Sequence, residues 1–160
     1  MATEKLKFKI KLFATMWDKP PHAEILINDK SLCKKNITGT EDKPDLIEFE
    51  YELEEEKSYN LIIKRSGKIK NQTIINEKGD ILKDQLLHIK SIEIDEIDIG
   101  TLVYEGVYTP QYPEPWATQQ KEAGIKLEES LKNATKMGHN GTWSFSFGSP
   151  FYMWLLQNLY

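Results

Sequence analysis

The sequence has almost no cysteine and no long hydrophobic run. Cys33 is the only cysteine among 160 residues, so no internal disulfide can form, and a single thiol suits a reducing compartment. No apolar run approaches the roughly 18 residues needed to span a bilayer. The N-terminal segment MATEKLKFKIKLF alternates charged with apolar residues, unlike a secretory signal. We therefore expect neither a signal peptide nor membrane insertion.

The sequence also lacks a strong excess of charge and the short motifs of common enzymes. Its formal net charge of -4 gives no reason to expect nucleic acid as a partner. It contains no G-x-S-x-G, P-loop or G-x-G-x-x-G motif. The histidines lie far apart, and His139 is assigned to the turn Gly138–Gly141. These absences predict a non-catalytic protein.

Alternation with a period of two dominates the first two thirds of the chain. Apolar residues alternate with lysines in residues 5–12 and with glutamates in residues 46–53. Residues 23–28 and 58–63 show similar alternation, which predicts half-buried strands. About eight or nine short strands separated by turn signals predict an all-β fold, a jelly-roll-like β-sandwich. The length predicts a single domain over residues 1–160.

Two of these strands carry outer faces of opposite charge. Lysines line residues 5–11, and glutamates line residues 48–52. Two separate solvated faces are the simpler interpretation. The alternative is that the strands are neighbours whose charges complement each other.

The apolar stretch 81–99 changes phase twice. Leu87 and Ile89 occupy odd positions, Ile92 and Ile94 even positions, and Ile97 and Ile99 odd positions again. A strand that keeps one face buried absorbs such changes at a bulge. We therefore predict a bulge or a bend near Lys90–Ser91 and near Asp95–Glu96.

Proline breaks the pattern in the last third. Residues 105–120 contain TPQYPEPWATQQ, which predicts a long Pro-rich loop with room for a short helical turn at 117–123. Residues 132–137 and 142–147 predict strands. Ser149 and Pro150 suit the start of a short C-terminal helix, with an edge strand as the alternative.

The aromatic residues fall into two groups. The run TWSFSF at 142–147 places three rings on one strand face, which indicates a core role. Trp17, Tyr112 and Trp116 lie in proline-rich loops, where rigid rings can stack against the C–H bonds of a sugar. Plugging the end of the sandwich is the simpler role for each ring. The sequence leaves both roles open.

Carboxylates crowd the segment around the second predicted bulge. Asp95 and Glu96 are flanked by Glu93 and Asp98. Converging oxygens there would suit Ca2+, although the spacing is not that of an EF-hand. A solvated acidic stretch is the simpler interpretation. A small carboxylate-dependent hydrolase, which needs paired acids in a deep cleft, is the least favoured hypothesis.

Two segments within about the first hundred residues resemble a known family. TMWDKPPHAEILINDKSL resembles the early strand-loop-strand of calcium-dependent xylan-binding carbohydrate-binding modules. YNLIIKR and LKDQLLHIKSIEIDEI resemble the later strand pair of that family. The resemblance implies a sugar-binding β-sandwich that uses Ca2+, with Asp84 as a metal ligand. The chain departs from the family at Lys64–Arg65, which replace the Asn-Asp expected to organise calcium and sugar.

The whole chain also resembles small proteins of tailed marine bacteriophages, especially those that infect cyanobacteria. PEPWATQQK, GHNGTW and SPFYMWLL carry this resemblance. It implies a phage protein in the virion or, during infection, in the host cytoplasm. Together with the aromatic loops, it suggests a non-catalytic protein that binds carbohydrate or another virion protein. The alternative is a purely structural protein that assembles with itself or with a capsid or tail partner.

Overall fold

Two antiparallel sheets form most of the computed structural model, which describes residues 2–17, 19–68, 74–78 and 81–158. The strands are β1 (Thr3–Thr15), β2 (His22–Ile27), β3 (Lys30–Asn36), β4 (Asp45–Glu54), β5 (Ser58–Ser66), β6 (Ile74–Ile75), β7 (Ile81–Lys83), β8 (Leu86–Ile94), β9 (Ile97–Asp98), β10 (Val107–Pro110), β11 (Leu131–Lys132), β12 (Lys136–Met137) and β13 (Gly141–Gly148). The helices include a 3-10 helix (Gly100–Glu105), α1 (Trp116–Glu122) and α2 (Phe151–Asn158).

The strand order confirms the predicted all-β, jelly-roll-like sandwich. One sheet has the order β12-β8-β1-β4, with β9 also paired to β8. The facing sheet has the order β11-β10-β13-β5-β2-β3, and β6 and β7 form a separate hairpin. The strands outnumber the prediction because several of them are only two residues long, too short for a visible alternation.

The core lies between the two sheets and follows the alternation in the sequence. Every second side chain of β1 from Leu6 to Leu12 is buried, as is every second side chain of β13 from Trp143 to Phe147. The two sets meet across the sandwich, where the ring centroids of Phe8 and Phe147 are 6.1 Å apart. The core role predicted for the aromatic run is confirmed. Each buried ring contributes about 1.5–3 kcal/mol.

The lysine and glutamate faces belong to neighbouring strands. The register of β1 and β4 places Lys5 opposite Glu52, Lys7 opposite Glu50 and Lys9 opposite Glu48. Lys5 Nζ also lies 3.1 Å from a carboxylate oxygen of Glu50. The alternative that the two strands are neighbours is therefore confirmed, and both faces are also solvated. Exposed pairs of this kind stabilise a protein by at most about 1 kcal/mol each.

One of the two predicted bulges is confirmed. Consecutive residues of β1 pair with Ser91 and Ile89, so Lys90 is an extra residue of β8 at the predicted place. The extra residue shifts the buried positions from odd to even while one face stays inside. Near Asp95–Glu96 the structure has a bend and no bulge. Both residues have positive φ and form the tight turn that joins β8 to β9.

The last third is more regular than predicted. The long Pro-rich loop at 105–120 is wrong in part, because β10 lies within it, whereas α1 confirms the short helical turn predicted at 117–123. β11 pairs only with Val107 and Tyr108, so Pro110 lies where β10 has an open edge and proline is tolerated. The single strand predicted at 132–137 is two strands, β11 and β12, which belong to different sheets.

Helix α2 confirms the predicted C-terminal helix over the edge strand, but the residue that caps its start differs from the prediction. Ser149 was expected to cap the helix. Instead the Glu4 carboxylate of β1 accepts the N–H of Phe151 over 2.7 Å and the hydroxyl of Ser149. A distant strand thus supplies the cap. No helix among the described residues is long and apolar enough to cross a membrane.

Candidate functional site

One end of the sandwich gathers most of the residues predicted to bind a ligand. Thr15 pairs with Leu86, so the end of β1 lies beside the start of β8. Arg65 pairs with Gly141, so the end of β5 lies beside the start of β13. We call this region the aromatic end and define it by the side chains of Trp17, Tyr112, Trp116 and His139.

Tyr112, Trp116 and His139 form a cluster of rings. The ring centroids are 5.9 Å apart for Tyr112 and Trp116, 5.2 Å for Tyr112 and His139, and 5.4 Å for Trp116 and His139. All three side chains are partly exposed. The structure therefore brings two predicted residues together and adds His139, which the sequence assigned only to a turn. Such a cluster combines packing with exposed ring surface that a sugar can contact.

Local hydrogen bonds fix the segment that carries Tyr112 and Trp116. Trp116 is the first residue of α1, and the N–H of Ala117 donates to the carbonyl of Pro113 over 2.8 Å. The Tyr112 hydroxyl donates to the carbonyl of Glu128 over 2.7 Å. Because these bonds hold the segment before any ligand arrives, binding costs little additional conformational entropy.

Trp17 joins the aromatic end from the first sheet. Its side chain is 37% exposed, and Lys83 Nζ lies 3.5 Å from its ring centroid. The carbonyl of Lys19, which forms a bridge with Trp17, accepts Gln85 Nε2 over 2.8 Å. One contact therefore places an ammonium group against the ring, while the other ties the Trp17 segment to the start of β8.

Tyr108 anchors the turn that carries His139. Its hydroxyl accepts the His139 N–H over 2.9 Å and donates to the His139 carbonyl. Burial raises the pKa of Tyr108 to about 12, so the hydroxyl keeps its proton at neutral pH. Burial, followed by the charge of Lys68, lowers the pKa of His139 against the opposing effect of Asp84. The imidazole is therefore neutral at neutral pH.

A buried polar network adjoins this turn. Arg65 is 1% exposed and Gln85 is fully buried. Arg65 donates to Gln85 Oε1 over 2.8 Å and to Asn140 Oδ1 over 3.1 Å. Lys68 Nζ lies 2.8 Å from Asp84 Oδ1. The predicted metal ligand Asp84 thus lies at the aromatic end, and its carboxylate already accepts an ammonium group.

Asp95 and Glu96 lie at the opposite end of the sandwich. The N–H of Asp95 donates to the carbonyl of Lys7 over 2.7 Å, and its carboxylate accepts the Tyr152 hydroxyl. The 9 residues of β8 separate this turn from Asp84, a distance of about 30 Å. The structure therefore does not bring the three predicted metal ligands together.

The described residues around Asp84 do not fit a calcium ion. Calcium takes six to eight oxygen ligands, usually with several carboxylates among them. Within residues 2–17, 19–68, 74–78 and 81–158, no group of three or more His, Cys, Asp or Glu side chains is placed to hold a metal. At Asp84 the neighbouring group is an ammonium, which would repel a divalent cation.

Sequence reasoning missed most of the polar network. From the sequence, Arg65 is recognised only as a departure from the family pattern, although Arg65 continues the odd-numbered buried series of β5 after Ile63. That phase is a usable signal for an inward-facing arginine. Asn140 was noted only as half of an Asn-Gly turn. Nothing local in the sequence indicates that Gln85 lies opposite both, because those contacts join distant segments.

A polar groove of about 540 Å3 lies elsewhere on the molecule. Its lining includes Ser144 and Ser146 of β13, Glu105 of the 3-10 helix, and Trp154 and Asn158 of α2. None of the ligand-binding or metal-binding residues predicted from the sequence lines this groove. The groove is therefore a separate feature from the aromatic end.

Comparisons with known proteins agree with the fold. No family model matches the chain, and no curated protein matches it. Similar solved structures include the selenomethionine form of vCBM60, reported in connection with two families of calcium-dependent carbohydrate-binding modules linked by circular permutation. It has a TM-score of 0.50 and 7% identity, covering 88% of this chain and 89% of that one. A complex of vCBM60 with galactobiose has a TM-score of 0.49 and 9% identity, covering 87% and 96%. The chain thus shares the β-sandwich fold of a carbohydrate-binding module.

Proposed function

We propose that the protein is a non-catalytic carbohydrate-binding protein whose ligand contacts the aromatic end. The observation that carries the proposal is the contact between the Tyr112 and Trp116 rings on hydrogen-bonded segments, at the end of the sandwich where the Trp17 segment is tied to the start of β8. Sugars present C–H faces that stack on aromatic rings and hydroxyls that pair with nearby polar groups. The proposal treats residues 1–160 as one domain.

The fold supports this proposal without deciding it. The β-sandwich of vCBM60, which is similar in architecture, belongs to a carbohydrate-binding module. Function does not follow from fold, so sugar binding is inferred from the aromatic residues of this chain. The phage origin inferred from PEPWATQQK, GHNGTW and SPFYMWLL is part of the same proposal, with a host glycan as the ligand and another virion component as the alternative.

Calcium is assigned no role in this binding. The residues near Asp84 do not form a calcium site, for the reasons given above. Asp95 and Glu96 remain predicted ligands at the other end, far from the rings. Carrying out every binding measurement with and without calcium tests both positions.

A glycan array followed by calorimetry tests the proposal. We expect a bound glycan whose affinity falls about tenfold or more in both Trp17→Ala and Trp116→Ala, because each loses a stacking face. Tyr104→Ala is the matched control, since Tyr104 is 46% exposed but lies on the 3-10 helix, outside the aromatic end. A bound glycan whose affinity is unchanged in both tryptophan variants would remove the aromatic end from the proposal. The absence of any bound glycan would remove carbohydrate binding altogether.

A second candidate function is assembly with a protein partner through the same end. The hairpin of β6 and β7 exposes large apolar side chains: Ile75 is 59% exposed, Ile81 63% and Leu82 61%. Exposed apolar groups that lie close together often mark a protein contact. Light scattering would detect a homo-oligomer, and mass spectrometry of purified virions would detect incorporation. A defined oligomer that Leu82→Ser dissociates would favour assembly over sugar binding.

A further inference from the structure

Arg65 joins three segments of the chain as a buried cation. One guanidinium nitrogen donates to the carbonyl of Gln85 over 2.6 Å and to Gln85 Oε1 over 2.8 Å. The other terminal nitrogen donates to Asn140 Oδ1 over 3.1 Å. These acceptors are neutral oxygens from the start of β8 and the turn before β13. Burial lowers the pKa of Arg65 only to about 10, so the group is charged at neutral pH.

Lys68 plays a similar part beside it. Its Nζ donates to Asp84 Oδ1 over 2.8 Å and to the carbonyl of Gly138. Its backbone N–H donates to Asn140 Oδ1 over 2.9 Å, and its carbonyl accepts Asn140 Nδ2 over 3.0 Å. The Lys68 side chain is 13% exposed. Ammonium and guanidinium groups thus bind the same two loops from one side.

The acceptors of these two cations are the kinds of oxygen that bind a calcium ion. They are a carboxylate, two backbone carbonyls and two side-chain amide carbonyls. Calcium in proteins binds through these same groups, and in doing so it cross-links loops. Here nitrogen donors already satisfy the oxygens, and a divalent ion would meet two positive charges at short range.

We infer that Arg65 and Lys68 hold the aromatic end together in place of a metal ion, so that this end keeps its structure without calcium. The two side chains are positioning residues. They fix the loop at 84–85 and the turn at 138–140, and the turn presents His139 to the other rings. The inference concerns the support of this end and applies whether or not a sugar binds there.

Thermal unfolding of the full chain with added calcium, and separately with EDTA, is the first test. We expect the same melting temperature in both conditions, and no heat of calcium binding by calorimetry. A melting temperature that rises with calcium or falls with EDTA, and still does so in the Asp95→Ala/Glu96→Ala variant, would overturn the inference. Because these readouts need no glycan, their failure is distinguishable from a failure of the proposed function.

Lys68→Met is the second test, with Lys64→Met as its matched control. Lys64 lies near the end of β5, shortly before Lys68, and is exposed, so the control removes the same charge without removing a buried contact. We expect Lys68→Met to lower the melting temperature by about 4 °C or more. It should also shift the NMR signals of the Trp116 indole and the His139 ring, whereas Lys64→Met changes neither. Equal behaviour of the two variants would overturn the positioning role of Lys68.

Arg65→Lys completes the set, because it keeps the charge but loses the planar fork that reaches two loops at once. We expect a larger loss of melting temperature than in Lys68→Met. If Arg65→Lys does not fold, the calcium and Lys68 tests still decide the inference. Full stability in Arg65→Lys would overturn the claim that the guanidinium geometry holds these loops.

Discussion

The two ends of the sandwich are held by opposite charges. At the aromatic end, the cations Arg65 and Lys68 collect carbonyl and amide oxygens from loops. At the other end, the carboxylate of Glu4 collects donors, namely the Phe151 N–H and the Ser149 hydroxyl at the start of α2. The unpaired N–H groups at the start of a helix are stabilised by an anion, and the carbonyl and amide oxygens of the loops are stabilised by a cation. The anion Glu4 lies on β1, and the buried cation Arg65 lies on β5.

The two ends also differ in how far the charged side chain is buried. Arg65 is almost fully buried, whereas Glu4 is only partly buried. A buried charge that loses a partner keeps its desolvation penalty, while a partly exposed one recovers contact with water. Perturbing the aromatic end should therefore cost more stability than the equivalent change at the helix end. Substitutions at the two ends, and a change of pH, should reveal this difference as unequal losses of stability.

Gln85→Leu should be the most damaging single change. The leucine keeps the backbone carbonyl but removes the Oε1 acceptor of Arg65 and the Nε2 donor to Lys19. We expect a loss of about 3 kcal/mol, because a buried charge loses one of its partners. Urea unfolding measures it. A loss below that of Glu4→Gln would contradict the claimed difference between the ends.

Gly141→Ala and Gly148→Ala compare the two ends on one strand. A Cβ at Gly141 would lie 2.4 Å from the carbonyl oxygen of Thr109, which is backbone and cannot easily move. A Cβ at Gly148 would meet Trp154 Cδ1 at 3.0 Å, a tight contact that a side chain can relieve. We expect about 1–3 kcal/mol for the first and less for the second.

Gly138→Ala serves as the control for that pair. Its Cβ would meet Leu86 Cδ2 at 3.5 Å, an ordinary contact. The alanine should therefore change the melting temperature by less than either of the other two. The reverse order would show that β13 is not packed more tightly at its start.

Glu4→Gln should cost about 1 kcal/mol, as expected for weakening a helix cap. The amide oxygen can still accept the Phe151 N–H, but the negative charge at the helix start is lost. Circular dichroism would show whether α2 frays. The rings at the aromatic end should keep their NMR shifts, because the change lies at the opposite end. Altered Trp116 signals would contradict this independence.

Acidification should have the smallest effect on the aromatic end. Burial, then Lys68, lowers the pKa of His139, so the unfolded chain binds its proton first as the pH falls. This contribution to stability is present above about pH 6.5, and it decreases as the pH falls from there to the lowered pKa. Burial also lowers the pKa of His88, so NMR titration of each ring is needed to separate them. A His139 pKa above its ordinary value would contradict the described surroundings.

Much of the fold follows from local pattern. Alternation identified β1, β2, β4, β5 and β13, and the phase change located the bulge at Lys90. These features depend on periods of two residues, which a single segment displays. The predicted rings Tyr112 and Trp116 were recognisable because prolines surround them.

The rest depends on contacts between distant segments. Arg65 and Gln85 are polar residues next to loops, and only the facing sheet makes them partners. The pairing of β1 with β4 was an open alternative, because opposite charge is compatible with pairing but does not require it. Asp95–Glu96 shows the converse, since a tight turn and a bulge produce the same phase change in a sequence.

The first strand runs from one end of the sandwich to the other. β1 begins beside the cap of α2 and ends beside the segment that carries Trp17, and its 13 residues cover about 40 Å. A tether attached before Thr3 would therefore leave the tryptophan and its neighbours pointing away from the support. Immobilised in that orientation, the protein would display its rings outward to whatever surface it meets.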